Sequence, residues 1–201
     1  MIALRMTYVG ELGWEIYVPT EFAQDIYDKI IAIGNKHGLK LAGMHALNSL
    51  RLEKAFRHWG HDIADEDTPL EAGLGFAVKL DKPGGFIGRD ALLRQKEEIS
   101  KSKNTVLKKR LVQFALENPE PLLYHNEPIW CNDKIVGDLT SGMYGHTIGT
   151  CLGMGYVFHE DGLSRDLLES SVFEIEVAGE KHRARASLRA FYDPKSERVR
   201  M

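Results

Sequence analysis

The sequence predicts an α+β chain whose second half closes into a small antiparallel β-barrel. Three observations predict it. Apolar residues at helical spacing, with capping signals, crowd residues 1–100. Short alternating segments separated by turn residues fill residues 108–201. Between them, residues 96–109 are charge-rich and poor in apolar side chains, and read as a linker.

The first element reads as a β-hairpin: a strand over residues 3–9, a turn at 10–13 and a second strand over 14–18. A symmetric loop sets Tyr8 opposite Glu15, with a phenol and a carboxylate on one face about 5 Å apart at Cβ. Met6 and Tyr17 share that face, and Val9, Trp14, Ile16 and Val18 form a core set on the other. A carboxylate in such company needs hydrogen-bond donors, because an unpaired buried charge is costly. Glu11 reads as a solvated turn residue.

Thr20 is placed to cap a helix that carries Phe22, Ile26, Ile30 and Ile33 on one face and stops at Gly34-Asn35 and Gly38. Residues 44–56 form a second amphipathic stretch burying Leu47, Leu50 and Ala55. Thr68-Pro69-Leu70-Glu71 is a capping box with proline at the first helical position, so a short helix ending at Gly73 or Gly75 is expected. Asp81-Lys82-Pro83-Gly84-Gly85 is a turn, and a helix over residues 90–100 follows. Strands are expected over 111–116, over 128–130 and 135–139 around an Asn132-Asp133 turn, and over 173–177 and 184–188 around Ala178-Gly179.

Composition narrows the function. The 201 residues are 43% hydrophobic and 27% charged, an ordinary globular balance. A net charge of −3 gives no electrostatic case for nucleic acid. No apolar run approaches the roughly 20 residues a membrane span needs, and no signal peptide is visible. Cys131 and Cys151 give no disulfide framework, so a reducing compartment is expected: cytoplasm, or mitochondrial matrix in a eukaryote.

Other chemistry-bearing residues have ordinary readings. His58 and His61 lack a third well-placed ligand for a metal. Cys131 lacks a neighbouring base. Gly153-Met154-Gly155 lacks the strand–turn–helix context of a nucleotide fingerprint and reads as a closely packed strand. Lys108-Lys109-Arg110 reads as the solvated start of a strand, with anion binding as the alternative.

Tyr8-Val9-Gly10-Glu11-Leu12-Gly13-Trp14-Glu15 resembles the Y-x-G-E-x-G-x-E motif of the glycine cleavage T-protein (aminomethyltransferase) family. Further landmarks follow in order. They are Ser49-Leu50-Arg51-Leu52-Glu53-Lys54, Trp59-Gly60-His61-Asp62-Ile63, Thr68-Pro69-Leu70-Glu71-Ala72-Gly73-Leu74 and Phe86-Ile87-Gly88-Arg89-Asp90-Ala91-Leu92. Thr140-Ser141-Gly142, Leu152-Gly153-Met154-Gly155-Tyr156-Val157 and Tyr192-Asp193-Pro194 complete the set. Their wording is similar to the C-terminal folate-binding part of dimethylglycine and sarcosine dehydrogenases.

The resemblance implies the C-terminal half of a folate-binding domain over residues 1–100, then the family's barrel over 108–201. It implies tetrahydrofolate as cofactor, with Tyr8 lining the pterin pocket and Glu15 accepting two parallel N–H donors from the ring. The residues alone leave open an ion pair between Glu15 and Arg51 or Arg57. Leu47 stands where T-proteins carry an arginine for the folate tail, which shifts the reading toward the dehydrogenase branch. The family's catalytic aspartate and the FAD domain of that branch lie upstream of the hairpin in the resembled proteins. The chain therefore reads as a C-terminal fragment, with no catalytic or metal-binding residue of its own. Its expected partners are reduced folate and an upstream flavin domain. The implied function is capture of a methylene unit from an N-methyl amine as 5,10-methylenetetrahydrofolate. The alternatives are a stand-alone aminomethyltransferase of glycine cleavage and a non-catalytic folate-fold interaction module.

Overall fold

The computed structural model describes residues 1–101 and 106–201. A two-stranded antiparallel sheet comes first, β1 (Ile2–Leu4) and β2 (Glu15–Tyr17). Its register pairs Leu4 with Glu15 and Ile2 with Tyr17. This corrects the expected hairpin: Tyr8 does not face Glu15 but lies in a ten-residue loop. The Thr7 hydroxyl accepts from the Val9 and Gly10 amides at 3.2 and 3.1 Å, which turns the chain before the strand reaches Tyr8. Trp14 and Ile16, expected in a core, are exposed.

Helix α1 (Ala23–Gly34) follows a single 3-10 turn, without the expected Thr20 side-chain cap, and ends before a left-handed Gly38. Its predicted apolar row forms, but no residue of α1 is buried. Helix α2 (Met44–Glu53) follows its expected face only in part: Leu47 is half-buried and Ala55, just beyond it, is buried. Leu50 is exposed, while Ser49, Arg51, Leu52 and Glu53 are buried.

The Thr68–Glu71 capping box forms, with the Glu71 carboxylate accepting from the Thr68 amide at 3.1 Å and the Thr68 hydroxyl from the Glu71 amide at 3.2 Å. It winds only one turn before Gly73 at φ +70° breaks it, so no helix follows. Helix α3 (Arg89–Lys101) runs through the first residues of the expected linker, whose residues 102–105 lie outside those described.

The remainder is β3 (Lys109–Leu116), β4 (Pro128–Cys131), β5 (Lys134–Gly145), β6 (Thr150–Phe158), a short α4 (Arg165–Ser170), β7 (Phe173–Val177) and β8 (Glu180–Ser187). The strands close a six-stranded antiparallel barrel in the order β3-β6-β5-β4-β7-β8. Asn132 and Asp133 both take positive φ in the two-residue β4–β5 turn, as that hairpin geometry requires.

Strand alternation splits the barrel residues between two cores. Val112, Phe114 and Leu116 of β3 join Ile129, Leu139 and Ile175 in the lumen. Leu111 and Ala115 point outward and pack with Leu52 and Ala55 of the α2 region and with Met154. Each such fully buried side chain contributes about 1.5–3 kcal/mol. Gly153 allows β6 to sit against Leu139, whose Cδ1 would lie 2.7 Å from any added Cβ.

Candidate functional site

The charges that α2 buries organise the site. Asp62, fully buried, accepts from Arg51 Nη1 at 2.5 Å, from the His58 amide at 2.9 Å and from the Thr140 hydroxyl at 2.6 Å. Arg51 spends its other donors on the Phe56 carbonyl at 3.1 Å and Ser141 Oγ at 2.8 Å. Helix α2, the loop behind it and strand β5 are thereby locked together. Glu53, equally buried, accepts from the Thr147 amide, the Thr147 hydroxyl and the Ile148 amide, which ties α2 to the β5–β6 turn. Three donors on one carboxylate offset most of its desolvation.

A second set of charges joins the two chain ends. The Lys54 side chain is 2% exposed, donates to Asp193 at 2.7 Å and lies 3.6 Å from Glu11. Its ammonium also stands 4.7 Å from the Tyr192 ring centroid. Arg198 donates to the other Glu11 oxygen at 3.0 Å. Glu11 is therefore no solvated turn residue: it fastens the hairpin loop to the C-terminal segment. Lys54 above all holds the Asp193 carboxyl down at about 2.

These ties enclose a cavity of about 440 Å3, within the range of small-molecule sites. Tyr8, Phe56 and Phe76 give it aromatic surface, and Arg57 and Arg189 give it positive charge. The Tyr8 hydroxyl donates to the Arg57 carbonyl at 3.1 Å, and burial raises its phenol above the usual range. The Arg57 guanidinium holds the turn in place through the Ala55 and Ala72 carbonyls, at 2.6 and 3.0 Å; Ala55 itself has φ +54°.

Glu15 sits apart from that lining. It is half-buried on β2 and accepts from the Tyr17 hydroxyl at 2.7 Å, with no other side-chain donor to it among the described residues. Arg51 and Arg57, its expected rival partners, are committed elsewhere. The structure thus brings Tyr8 to the cavity and leaves Glu15 on the hairpin stem.

The His58 and His61 rings meet at a tilt of 41° with centroids 4.5 Å apart. Burial, then His61 and Arg51, push His58 below its ordinary value. Among the described residues no three His, Cys, Asp or Glu side chains converge as a metal would need. A larger cleft of about 690 Å3, between the capping-box turn and α3, is lined mostly by apolar side chains, Phe86, Ile87 and Leu92 among them.

Sequence reasoning missed Asp62, Lys54 and Asp193 as organising residues. The available signal was local: Arg-x-Glu-Lys on the closing turn of an amphipathic helix places charges where apolar residues are expected.

Residues 1–82 match the family model described as the GCVT N-terminal domain, and residues 109–193 the glycine cleavage T-protein C-terminal barrel domain. The chain is 46% identical over 198 residues to a 4-methylaminobutanoate oxidase (formaldehyde-forming) from Paenarthrobacter nicotinovorans, covering 98% of this chain and 22% of that protein. It is 38% identical over 200 residues to human mitochondrial sarcosine dehydrogenase, covering 98% and 21%. The fold matches the crystal structure of aminomethyltransferase T from Bartonella henselae with a TM-score of 0.76 at 24% identity, over 92% of this chain and 48% of that one. The chain therefore spans about a fifth of the curated relatives named here.

Proposed function

Because the chain belongs to the glycine cleavage T-protein family, we propose that it is the tetrahydrofolate-binding part of a one-carbon-transfer enzyme of the dimethylglycine or sarcosine dehydrogenase type. In that reading an upstream FAD domain supplies the oxidation of an N-methyl amine. The methylene unit then leaves as 5,10-methylenetetrahydrofolate. This chain's part is positional: it holds the folate so that a bimolecular encounter becomes an oriented one. Tyr8, fixed by the Arg57 carbonyl, would pack against the pterin in the cavity, and Glu15, outside the lining on the hairpin stem, would accept from its parallel N–H donors where the ring extends beyond the cavity. The carrying observation is the aromatic and cationic cavity that the Lys54 ties enclose.

The test is calorimetric titration of 5-formyltetrahydrofolate into the wild-type chain, Tyr8→Phe and Glu15→Ala. Saturable binding that weakens at least tenfold in Glu15→Ala supports the reading. Binding unchanged in both variants removes these residues from the site, and no binding to the wild type overturns folate recognition. A second reading, release of the unit as formaldehyde, is favoured by the relative whose name carries that product. It expects no saturable folate binding.

A further inference from the structure

Arg110 breaks the pattern of its strand. It continues the lumen-facing row of Val112, Phe114 and Leu116, so an arginine stands at the barrel mouth where the alternation calls for an apolar residue. Strand β8 leaves β3 just there. Its last pair is Ser187 with Gln113, and residues 188–190 diverge from the edge that Arg110 occupies. The small Ala186 leaves room beside it, and α4 stands above, anchored by the buried Leu168.

The result is a cavity of about 400 Å3 at the mouth of a barrel, a common place for small-molecule sites. Arg110, Arg165 and Arg189 line it against one carboxylate, Glu169, which Arg165 holds at 2.6 Å. Two positive charges are left over. The Arg110 Nε is buried without a hydrogen-bond partner, and neither Arg110 nor Arg189 makes a side-chain ion pair or hydrogen bond among the described residues. Arg51, Arg57 and Arg198, by contrast, spend their donors on carbonyls or carboxylates. A buried guanidinium donor left unmet is expensive, and an anion is what meets it. Burial lowers Arg110 below its ordinary value.

We propose that this cavity is a second binding site, specific for a small polycarboxylate held bidentately by Arg110 and from the rim by Arg189. Leu188 and Arg189 also line the Tyr8 cavity, so the two spaces share a wall. The carboxylates have two sources: a γ-glutamyl tail on a folate bound next door, an arm that rests on the function proposed above, or a free polycarboxylate.

Calorimetry with citrate and with a γ-linked triglutamate peptide tests the site without folate. Saturable binding of either to the wild-type chain, weakened at least tenfold in R110Q and several-fold in the rim variant R189Q, and weakened by salt, supports the proposal. Absence of binding to the folded wild type, or equal binding to both variants, overturns it. A second titration compares mono- and triglutamyl 5-formyltetrahydrofolate. A tighter triglutamyl form whose advantage disappears in R110Q, with monoglutamate affinity unchanged, assigns the site to the tail. Citrate binding alongside equal affinity for the two folates assigns it to a free anion. Citrate binding with no folate binding overturns the folate reading and leaves the anion site standing.

Discussion

Arg51 and Asp62 form a pair whose side chains are 4% and 0% exposed, and the two stand or fall together. Removing one leaves the other charged and buried, which costs about 3–5 kcal/mol. Arg51→Met and Asp62→Asn should each lose stability of that order in urea denaturation, with little further loss in the double variant. Additive losses would show that the pair does not act as a unit. Arg51 also donates to the Phe56 carbonyl, a loop acceptor five residues along the chain. Glu53, on the same helix, does not join that pair, because its carboxylate turns toward the β5–β6 turn, a contact across 94 residues that local spacing cannot encode.

Asp193 gives a pH prediction at the same scale. Its carboxyl, held by Lys54 at about 2, lies below the ordinary 3.8. The unfolded chain binds that proton more readily, so the bridge stabilises the fold above the ordinary value and is lost as pH falls through the folded one. Thermal melts of wild type and Asp193→Asn should differ at about pH 6 and converge between about pH 4 and pH 2. A constant difference over that window would mean that the Lys54 bridge does not set the titration.

Elements were legible where local chemistry decides them and not where distant contacts do. The Asn132-Asp133 hairpin, the Ala178-Gly179 turn and the capping box all form from residues that demand those geometries. The first hairpin failed because alternation over residues 3–9 was read as pairing. The Thr7 hydroxyl and Gly10, at φ +72°, redirect the chain over Lys54 instead. A Cβ at Gly10 would collide with the Lys54 side chain as well as strain the backbone. Gly10→Ala should cost about 1–3 kcal/mol and open the loop to proteolysis. Unchanged cleavage kinetics would separate the loop from the Lys54 clamp. Helix α4 depends on Ser164, whose hydroxyl accepts from the Leu167 amide at 3.0 Å. Ser164→Ala should cost about 1 kcal/mol in urea denaturation. No measurable change would show that Leu168 packing alone holds the helix.

At the scale of the molecule, burial is uneven. The barrel lumen is lined by residues with almost no exposure, whereas β1, β2 and α1 bury none of theirs, and Trp14 and Ile33 are about three-fifths exposed. Opening free energy follows buried apolar contact, so the two halves should not open together. Native-state hydrogen exchange should find the β3, β5 and β6 amides exchanging only through global unfolding, and those of β1, β2 and α1 through openings that cost far less. The α2 amides should sit between: its outer face is exposed, but Leu52 and the Arg51 and Glu53 networks fasten it to the barrel. Uniform protection from β1 through β8 would overturn this order. It would mean that the exposed apolar row of α1 is covered in solution, which sedimentation at rising concentration would then reveal as self-association.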